Sequence, residues 1–213
     1  FIPVYVGVRI NQERQPNNVD LLYITTLSPA RIIRGKLFCG MYVALLFFSV
    51  CMPFMFFSNL LRGVDLPTIV MVLGISYLLV VAAIQFAIFI ACLPVTKGFK
   101  LLLTIGLLVF AIPGIFGFVF TSFRMFRTGV GAALWSWSFW EPALTTISLA
   151  LLVFGFMHVV SIAMITPPTA NRAFPIRLYV FISWLLSSGV VGTIYWRTGD
   201  NDVVVGWLYV FIL

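Results

Sequence analysis

The sequence predicts an all-α polytopic membrane protein with at least five full membrane-spanning helices and truncated helices at both ends. Hydrophobic residues make up 62% of the 213 residues and charged residues only 9%, whereas soluble domains carry about 25% charged residues. Long uncharged stretches separate the charges, and a helix needs only about 20 apolar residues to cross a bilayer. These stretches are longer than barrel strands and apolar on every face, which favours helices.

The uncharged stretches place five spans and divide the chain into segments. We predict the spans at Leu37–Phe57, Pro67–Leu93, Leu101–Ser122, Ala143–Ile165 and Ile176–Trp196. Residues 1–8 are interpreted as the end of a preceding transmembrane helix, and a further span begins near Val203. This gives a cytoplasmic loop over 9–36, a four-span core over 37–165, a second cytoplasmic loop over 166–177 and additional, truncated spans over 178–213. Because the chain starts with Phe and ends in an apolar run, we expect a fragment of a longer protein.

The distribution of charge predicts which loops are cytoplasmic. One set of alternate connections carries nine Lys and Arg residues and two acidic ones, while the other carries four of each sign. Basic residues mark the cytoplasmic side, so we assign the first set, from Arg9 to Lys36, Lys97 to Lys100 and Arg172 to Arg177, to the cytoplasm. The whole net charge of +7 then lies on one face. Anionic lipids of the cytoplasmic leaflet explain this charge more simply than nucleic acid does, and we expect no nucleic-acid partner.

The outer connection over about 124–142 is rich in tryptophan. Trp135, Trp137 and Trp140 lie within six residues and Glu141 follows them. Indole rings are favoured at the lipid headgroups. The segment is too short and too rich in Gly and Ser to span, so we expect an interfacial or re-entrant helix, or else a simple aromatic anchor.

The inner connection before the first full span predicts a short amphipathic helix. Asn17 or Asn18 is a suitable cap, and the apolar residues that follow give one or two turns ending at Leu27. Ser28 is then a good N-cap and Pro29 a good first residue for the next helix. We therefore expect a surface helix joined by a Ser-Pro hinge to a transmembrane helix, resting on lipid or docking a partner protein.

The sequence carries few groups for chemistry within the spans, where ionisable residues are costly. His158 shares its span with no Asp, Glu or second His, and we interpret it as a hydrogen-bonded structural residue. Gln85 is the one amide deep in a span, where it bonds a neighbouring helix or lines a path; we favour the first. The sequence contains no hydrolase or metalloprotease motif and no P-loop. We predict no catalytic residues, metal or cofactor.

One segment resembles the signature of the ABC-2 type transporter permeases. Residues 20–37 read DLLYITTLSPARIIRGKL, and that family has roughly a hydrophobic pair, a Thr, a Pro or Leu-Ser-Pro, a basic residue, an aliphatic pair and Gly-Lys-Leu leading into a span. The resemblance implies that residues 17–27 form the coupling helix, which contacts an ATPase subunit. It also implies that Leu37–Phe57 is the third of six core spans, and that the outer segment over 124–142 corresponds to the family's extracellular re-entrant hairpin.

The resemblance implies a permease subunit of an ABC exporter in the cell (cytoplasmic or inner) membrane. Its partners would be an ATPase subunit dimer, a second permease chain and membrane lipid. The docking residues that it implies are Asp20, Leu21, Leu22, Thr25, Thr26, Ser28, Pro29 and Arg31. Two alternatives remain open: a membrane-embedded enzyme or scaffold acting on lipid, and a secondary transporter, which would require inverted repeats around a midplane site.

Overall fold

The computed structural model describes residues 2–13, 28–61, 64–131, 133–167, 170–199 and 201–212. These residues contain seven α-helices, one 3₁₀ turn and no strand. The helices are α1 (Ile2–Glu13), α2 (Pro29–Leu60), α3 (Leu66–Cys92), α4 (Lys97–Thr128), α5 (Trp137–Ile165), α6 (Ala173–Thr198) and α7 (Asn201–Ile212). Helices α2 to α6 are long and apolar enough to cross a membrane. The protein is therefore an all-α, multi-pass membrane protein, as predicted.

The helices extend further than the uncharged stretches do. Helix α4 covers the predicted span at Leu101–Ser122 and also includes Lys97, Lys100, Arg124 and Arg127. Helix α1 likewise continues to Glu13, beyond the predicted end at Val8. The cause is that an apolar run marks only the depth of the hydrocarbon layer. Long basic side chains reach the headgroups from the helix ends, so the backbone remains helical through them.

The tryptophan-rich connection is shorter than expected. Helix α4 ends at Thr128 and α5 begins at Trp137, and the described residues between them hold only the 3₁₀ turn Ala133–Trp135. Gly129 ends α4 with a positive φ of 69° and donates its N–H to Met125 O at 2.9 Å. The described part of this connection contains no re-entrant helix, because too few residues remain to form one. A position at the headgroups stays a prediction.

Helix α3 is the centre of the bundle. It packs against α1, α2, α4 and α5, while α6 packs on α5 and α7 packs on α6. A close approach between α2 and α3 occurs at Gly40, where an added Cβ would lie only 3.0 Å from Ile84 Cγ2. Small residues at such crossings are a usual source of helix association in lipid.

One cluster of buried residues shows which helix ends lie together. Ile10 from α1, Ile33 from α2, Cys92 from α3 and Ile165 from α5 all belong to it. The C-terminal ends of α1, α3 and α5 therefore meet the N-terminal end of α2. Since this is also where most of the Lys and Arg residues are found, we call it the basic end, and we call the opposite end the outer end. The alternation of loops used for the charge count agrees with this arrangement.

Aromatic side chains pack α6 on α5 and α7 on α6. Tyr179 of α6 lies across Gly155 of α5 and donates its hydroxyl to Leu152 O at 2.8 Å. Trp207 of α7 contacts Trp184 of α6 with ring centroids 6.0 Å apart. Its indole N–H also donates to Ser187 Oγ at 3.0 Å.

Candidate functional site

The start of α2 is the described part of the predicted docking region. Ser28 is extended, with φ −67° and ψ 142°, and Pro29 is the first helical residue, which confirms the predicted helix start. The Ser28 carbonyl accepts hydrogen bonds from Arg31 N at 2.9 Å and Ile32 N at 3.3 Å, whereas its side chain makes no capping bond. Arg31 lies exposed on the first turn.

Most of the predicted docking residues lie outside the described part of the chain. They are Asp20, Leu21, Leu22, Thr25 and Thr26, all within the interval 14–27. Both flanks of this interval are nevertheless described. Ile10 of α1 is 2% exposed and Ile33 of α2 is fully buried, and both belong to one apolar cluster with Ile84 and Ile88 of α3. The interval is thus anchored on both sides to the centre of the bundle.

Lys100 joins three helices at the basic end. Its ammonium donates to Ala91 O of α3 at 3.1 Å and to Asn11 Oδ1 of α1 at 3.3 Å. The C-terminal carbonyls of a helix carry partial negative charge, which favours a cation there. Lys100 itself lies in the first turn of α4, so this contact holds the ends of α1 and α3 against the start of α4. The sequence shows Lys100 as part of a basic loop but does not show these partners.

A polar pair lies between α3 and α5 within the apolar bundle. Gln85 is 3% exposed, and its Oε1 lies 3.4 Å from Nδ1 of the partly exposed His158. This contact confirms that Gln85 bonds a neighbouring helix. Its Nε2 has no hydrogen-bond partner among the described residues, which costs about 1–3 kcal/mol in a buried position. Phe86 and Phe154 pack edge to face beside the pair, with centroids 5.8 Å apart.

A network of hydrogen bonds connects two loops at the outer end. Asp65, which precedes α3, accepts from Thr68 Oγ1 at 3.1 Å and from Gly131 N at 3.3 Å through its Oδ2. The fully buried Thr68 accepts in turn from Val130 N at 2.9 Å. We call these four residues the outer latch. Asp65 and Thr68 lie 62 or more positions before the loop residues Val130 and Gly131 that they bind, and sequence patterns alone do not reveal the contact.

Hydrogen bonds lower the pKa of the Asp65 carboxyl from its ordinary value of 3.8. The bond from its own backbone N–H contributes most, with smaller contributions from Gly131, Thr68 and Val130, while partial desolvation acts in the opposite direction. A carboxylate that accepts several N–H and O–H bonds is favoured over its protonated form. Asp65 is therefore ionised at neutral pH and holds the outer latch as an anion.

The predicted interfacial residues lie beside the outer latch. Trp135 is 93% exposed in the 3₁₀ turn. Trp137 begins α5, and the Arg197 guanidinium lies 5.1 Å from its ring centroid. Trp140 donates its indole N–H to Leu134 O at 2.8 Å. Glu141 lies in α5, but its side chain is outside what the structure describes.

Comparisons with known proteins identify no relative. No family model, no curated protein and no solved structure matches this chain. Within the described ranges, no group of three or more His, Cys, Asp or Glu side chains is placed to hold a metal ion.

Proposed function

We propose that this chain is a transmembrane permease subunit of an ABC transporter in the cell membrane. It exports a substrate using ATP that a separate ATPase subunit dimer hydrolyses. A second permease chain, identical or related, completes the transport path. The proposal starts from the motif over residues 20–37 and from the basic charge at the end of the bundle where that motif lies.

One observation carries the proposal, namely the anchoring of both flanks of the docking interval. The interval 14–27 leaves α1 just after the buried Ile10 and enters α2 just before the buried Ile33. Both residues pack into the same cluster as Ile84 and Ile88 of the central helix. Since packed interiors transmit displacement rather than absorb it, a force on the interval acts directly on α1, α2 and α3.

This anchoring gives a mechanism for coupling ATP hydrolysis to transport. ATP binding closes the two ATPase subunits, and residues 17–27 sit in a cleft on one of them. The movement passes through Ser28 and Pro29 into α2, which is a single helix of 32 residues. A helix of this length spans about 48 Å, so displacement at its basic end also moves the loop that leads to Asp65 at the outer end.

The alternatives differ in what they require at the basic end. An enzyme or scaffold acting on lipid and a secondary transporter both work without an ATPase. If the activity of the protein requires a bound P-loop ATPase subunit, the protein is a permease and neither alternative applies.

Co-purification with the ATPase tests the docking step. We expect Leu21→Glu with Leu22→Glu to release the ATPase subunit, because two charges enter an apolar contact and each is costly to desolvate. Phe174→Glu is the matched control: it makes the same kind of change at a residue that is 61% exposed at the start of α6, in a different basic connection. The control variant should retain the ATPase. Full association and ATPase stimulation in the double variant would contradict the proposal, as would equal release by Phe174→Glu.

A further inference from the structure

Polar contacts join helix α4 to the rest of the bundle at its two ends. At the basic end, Lys100 in the first turn donates to Ala91 O of α3 and to Asn11 Oδ1 of α1. At the outer end, the loop that directly follows α4 forms the outer latch with the start of α3, through bonds of 2.9 and 3.3 Å. Lys100 lies 28 positions before Thr128, the last residue of α4, which is about 42 Å of helix.

The middle of α4 is largely open to lipid. Ile115 lies seven positions, or about two turns, before Ser122 and therefore on the same side of the helix. Ser122 is only 8% exposed, whereas Ile115 is 59% exposed, so the side of α4 that is covered near the outer end is uncovered halfway along. The apolar side chains of this stretch that are more than half exposed are Leu108, Val109, Ile112, Ile115, Phe116, Val119 and Phe120.

An exposed middle leaves little to resist a shift of α4. An apolar side chain that moves within lipid exchanges one hydrocarbon contact for another, so its displacement costs little free energy. Pro113 removes one backbone hydrogen bond, but α4 is a single α-helix on both sides of it. The last turn leads directly into the outer latch, because Gly129 donates its N–H to Met125 O at 2.9 Å and Val130 follows. A shift at Lys100 therefore reaches Val130.

Both ends of α4 are placed to respond to such a shift. The Val130 N–H is bonded to Thr68 at 2.9 Å, and N–H···O bonds weaken beyond about 3.2 Å. A shift of about 1 Å at the outer end of α4 is thus enough to weaken the latch. At the basic end, α1 stops at Glu13, where the docking interval begins, and Asn11 ties Lys100 to this last turn of α1.

We propose that Lys100 is a positioning residue that couples the end of α1 to the outer latch through α4. While Lys100 is bound to α1 and α3, it keeps α4 in the position in which the latch is closed. Movement of the end of α1 shifts Lys100 and α4, and the latch opens. This route is additional to the one through α2. Its use in transport rests on the proposed function, because the ATPase supplies the movement of α1, but the coupling is a property of this chain alone.

Hydrogen exchange at the Val130 amide tests the coupling in the full-length chain in lipid nanodiscs, without an ATPase. Lys100→Met keeps an aliphatic side chain and removes the donors. We expect exchange at Val130 to rise about fivefold or more, as for coupling between distant sites. Arg177→Gln is the matched control, because it removes a charge from an exposed position at the basic end of α6, and it should leave Val130 unchanged. Exchange at the buried Ile194 of α6 should stay constant in both variants.

Two further variants test the route. Asn11→Leu removes only the partner on α1, at an exposed position, and should also speed exchange at Val130. Ile112→Gly with Ile115→Gly makes the middle of α4 flexible and removes only side chains that are more than half exposed. In this glycine background, Lys100→Met should no longer change the exchange rate at Val130.

Several results would overturn the coupling. They are unchanged exchange at Val130 in Lys100→Met or in Asn11→Leu, an equal rise in Arg177→Gln, a parallel rise at Ile194, and a persistent effect of Lys100→Met in the glycine background. Because no ATPase is present, these results are independent of the co-purification test. A failure here removes the route through α4 and leaves the proposed permease function standing, whereas a failure of co-purification leaves the coupling within the chain intact.

Discussion

Thr68→Val is expected to open the outer latch without creating a cavity. Valine has nearly the same shape as threonine but lacks the hydroxyl that accepts the Val130 N–H at 2.9 Å and donates to Asp65 Oδ2 at 3.1 Å. Thr68 is fully buried and Val130 is 4% exposed. The backbone N–H of Val130 would therefore lose its acceptor in a place that water does not reach easily.

The size of the expected destabilisation of the outer latch follows from the burial of Thr68 and Val130. Leaving a buried N–H without a partner costs about 1–3 kcal/mol. Asp65 is exposed, so water replaces the bond that it loses, and burying an additional methyl group returns about 0.8 kcal/mol. We expect a net local loss of about 0.2–2 kcal/mol, which raises the open fraction of the latch by up to about 30-fold.

Hydrogen exchange at the Val130 amide measures this local opening. The exchange rate in Thr68→Val should rise over the wild type, by up to about 30-fold. The control is Thr121→Val, because Thr121 is exposed on α4 and donates only to Gly117 O of its own helix, at 2.8 Å. It should leave the Val130 amide unchanged. Equal exchange rates in the two variants would refute the argument that Thr68 holds the loop closed.

Three further perturbations address other contacts of the outer end and of helix α6. The pKa of Asp65 is lowered in the fold, so the stability that the ionised carboxylate contributes is complete above about pH 3.8 and is lost as the pH falls through the lower folded-state pKa. At pH values below about 4, the unfolding temperature of the wild type should therefore decrease relative to that of Asp65→Asn. Gly155→Ala should cost about 1–3 kcal/mol, because a Cβ would lie 2.8 Å from Tyr179 Cζ. Arg197→Gln should cost about 0.5–1 kcal/mol by removing the cation–π contact with Trp137.

Each of these three has a control or a contradicting result. A constant difference between the wild type and Asp65→Asn from about pH 6 to pH 3 would contradict the linkage argument. Gly189→Ala lies on α6 with open space around it, and it should not lower the unfolding temperature; an equal loss at both glycines would remove the role assigned to Tyr179. For Arg197→Gln, the loss should disappear in a Trp137→Leu background, and persistence of the loss would exclude the ring as its partner.

The spans are predictable because lipid imposes a length and a polarity on every crossing. Each of the five predicted spans lies within its own helix of the structure, apart from Leu93 at the end of the second span. The helix start at Pro29 follows from cap chemistry alone. The ends at Glu13, Thr128 and Thr198 are not predictable from apolar runs. Helical hydrogen bonding continues into the headgroup zone, where charged side chains no longer oppose it.

The polar contacts between helices are not predictable from local patterns. Gln85 is recognisable as a buried amide that needs a partner, but His158 is 73 positions away. Nothing local to Asp65 indicates that Gly131 lies opposite it, and Lys100 has the composition of any basic loop residue. Such partners depend on which helices pack against α3 and at what rotation, and a single sequence of apolar spans does not specify either.

The central claim is that ATP-driven movement at the basic end reaches the outer end through α2 and α3. Val130→Cys, in a chain whose three native cysteines are replaced, puts a thiol at a buried position of the outer latch. The complex with its ATPase is labelled with a membrane-impermeant maleimide, with and without ATP. We predict that ATP changes the labelling rate in this chain, and that adding Leu21→Glu and Leu22→Glu abolishes the change. A labelling rate that ignores ATP while the ATPase is bound, or that still responds in the uncoupled variant, would contradict the account.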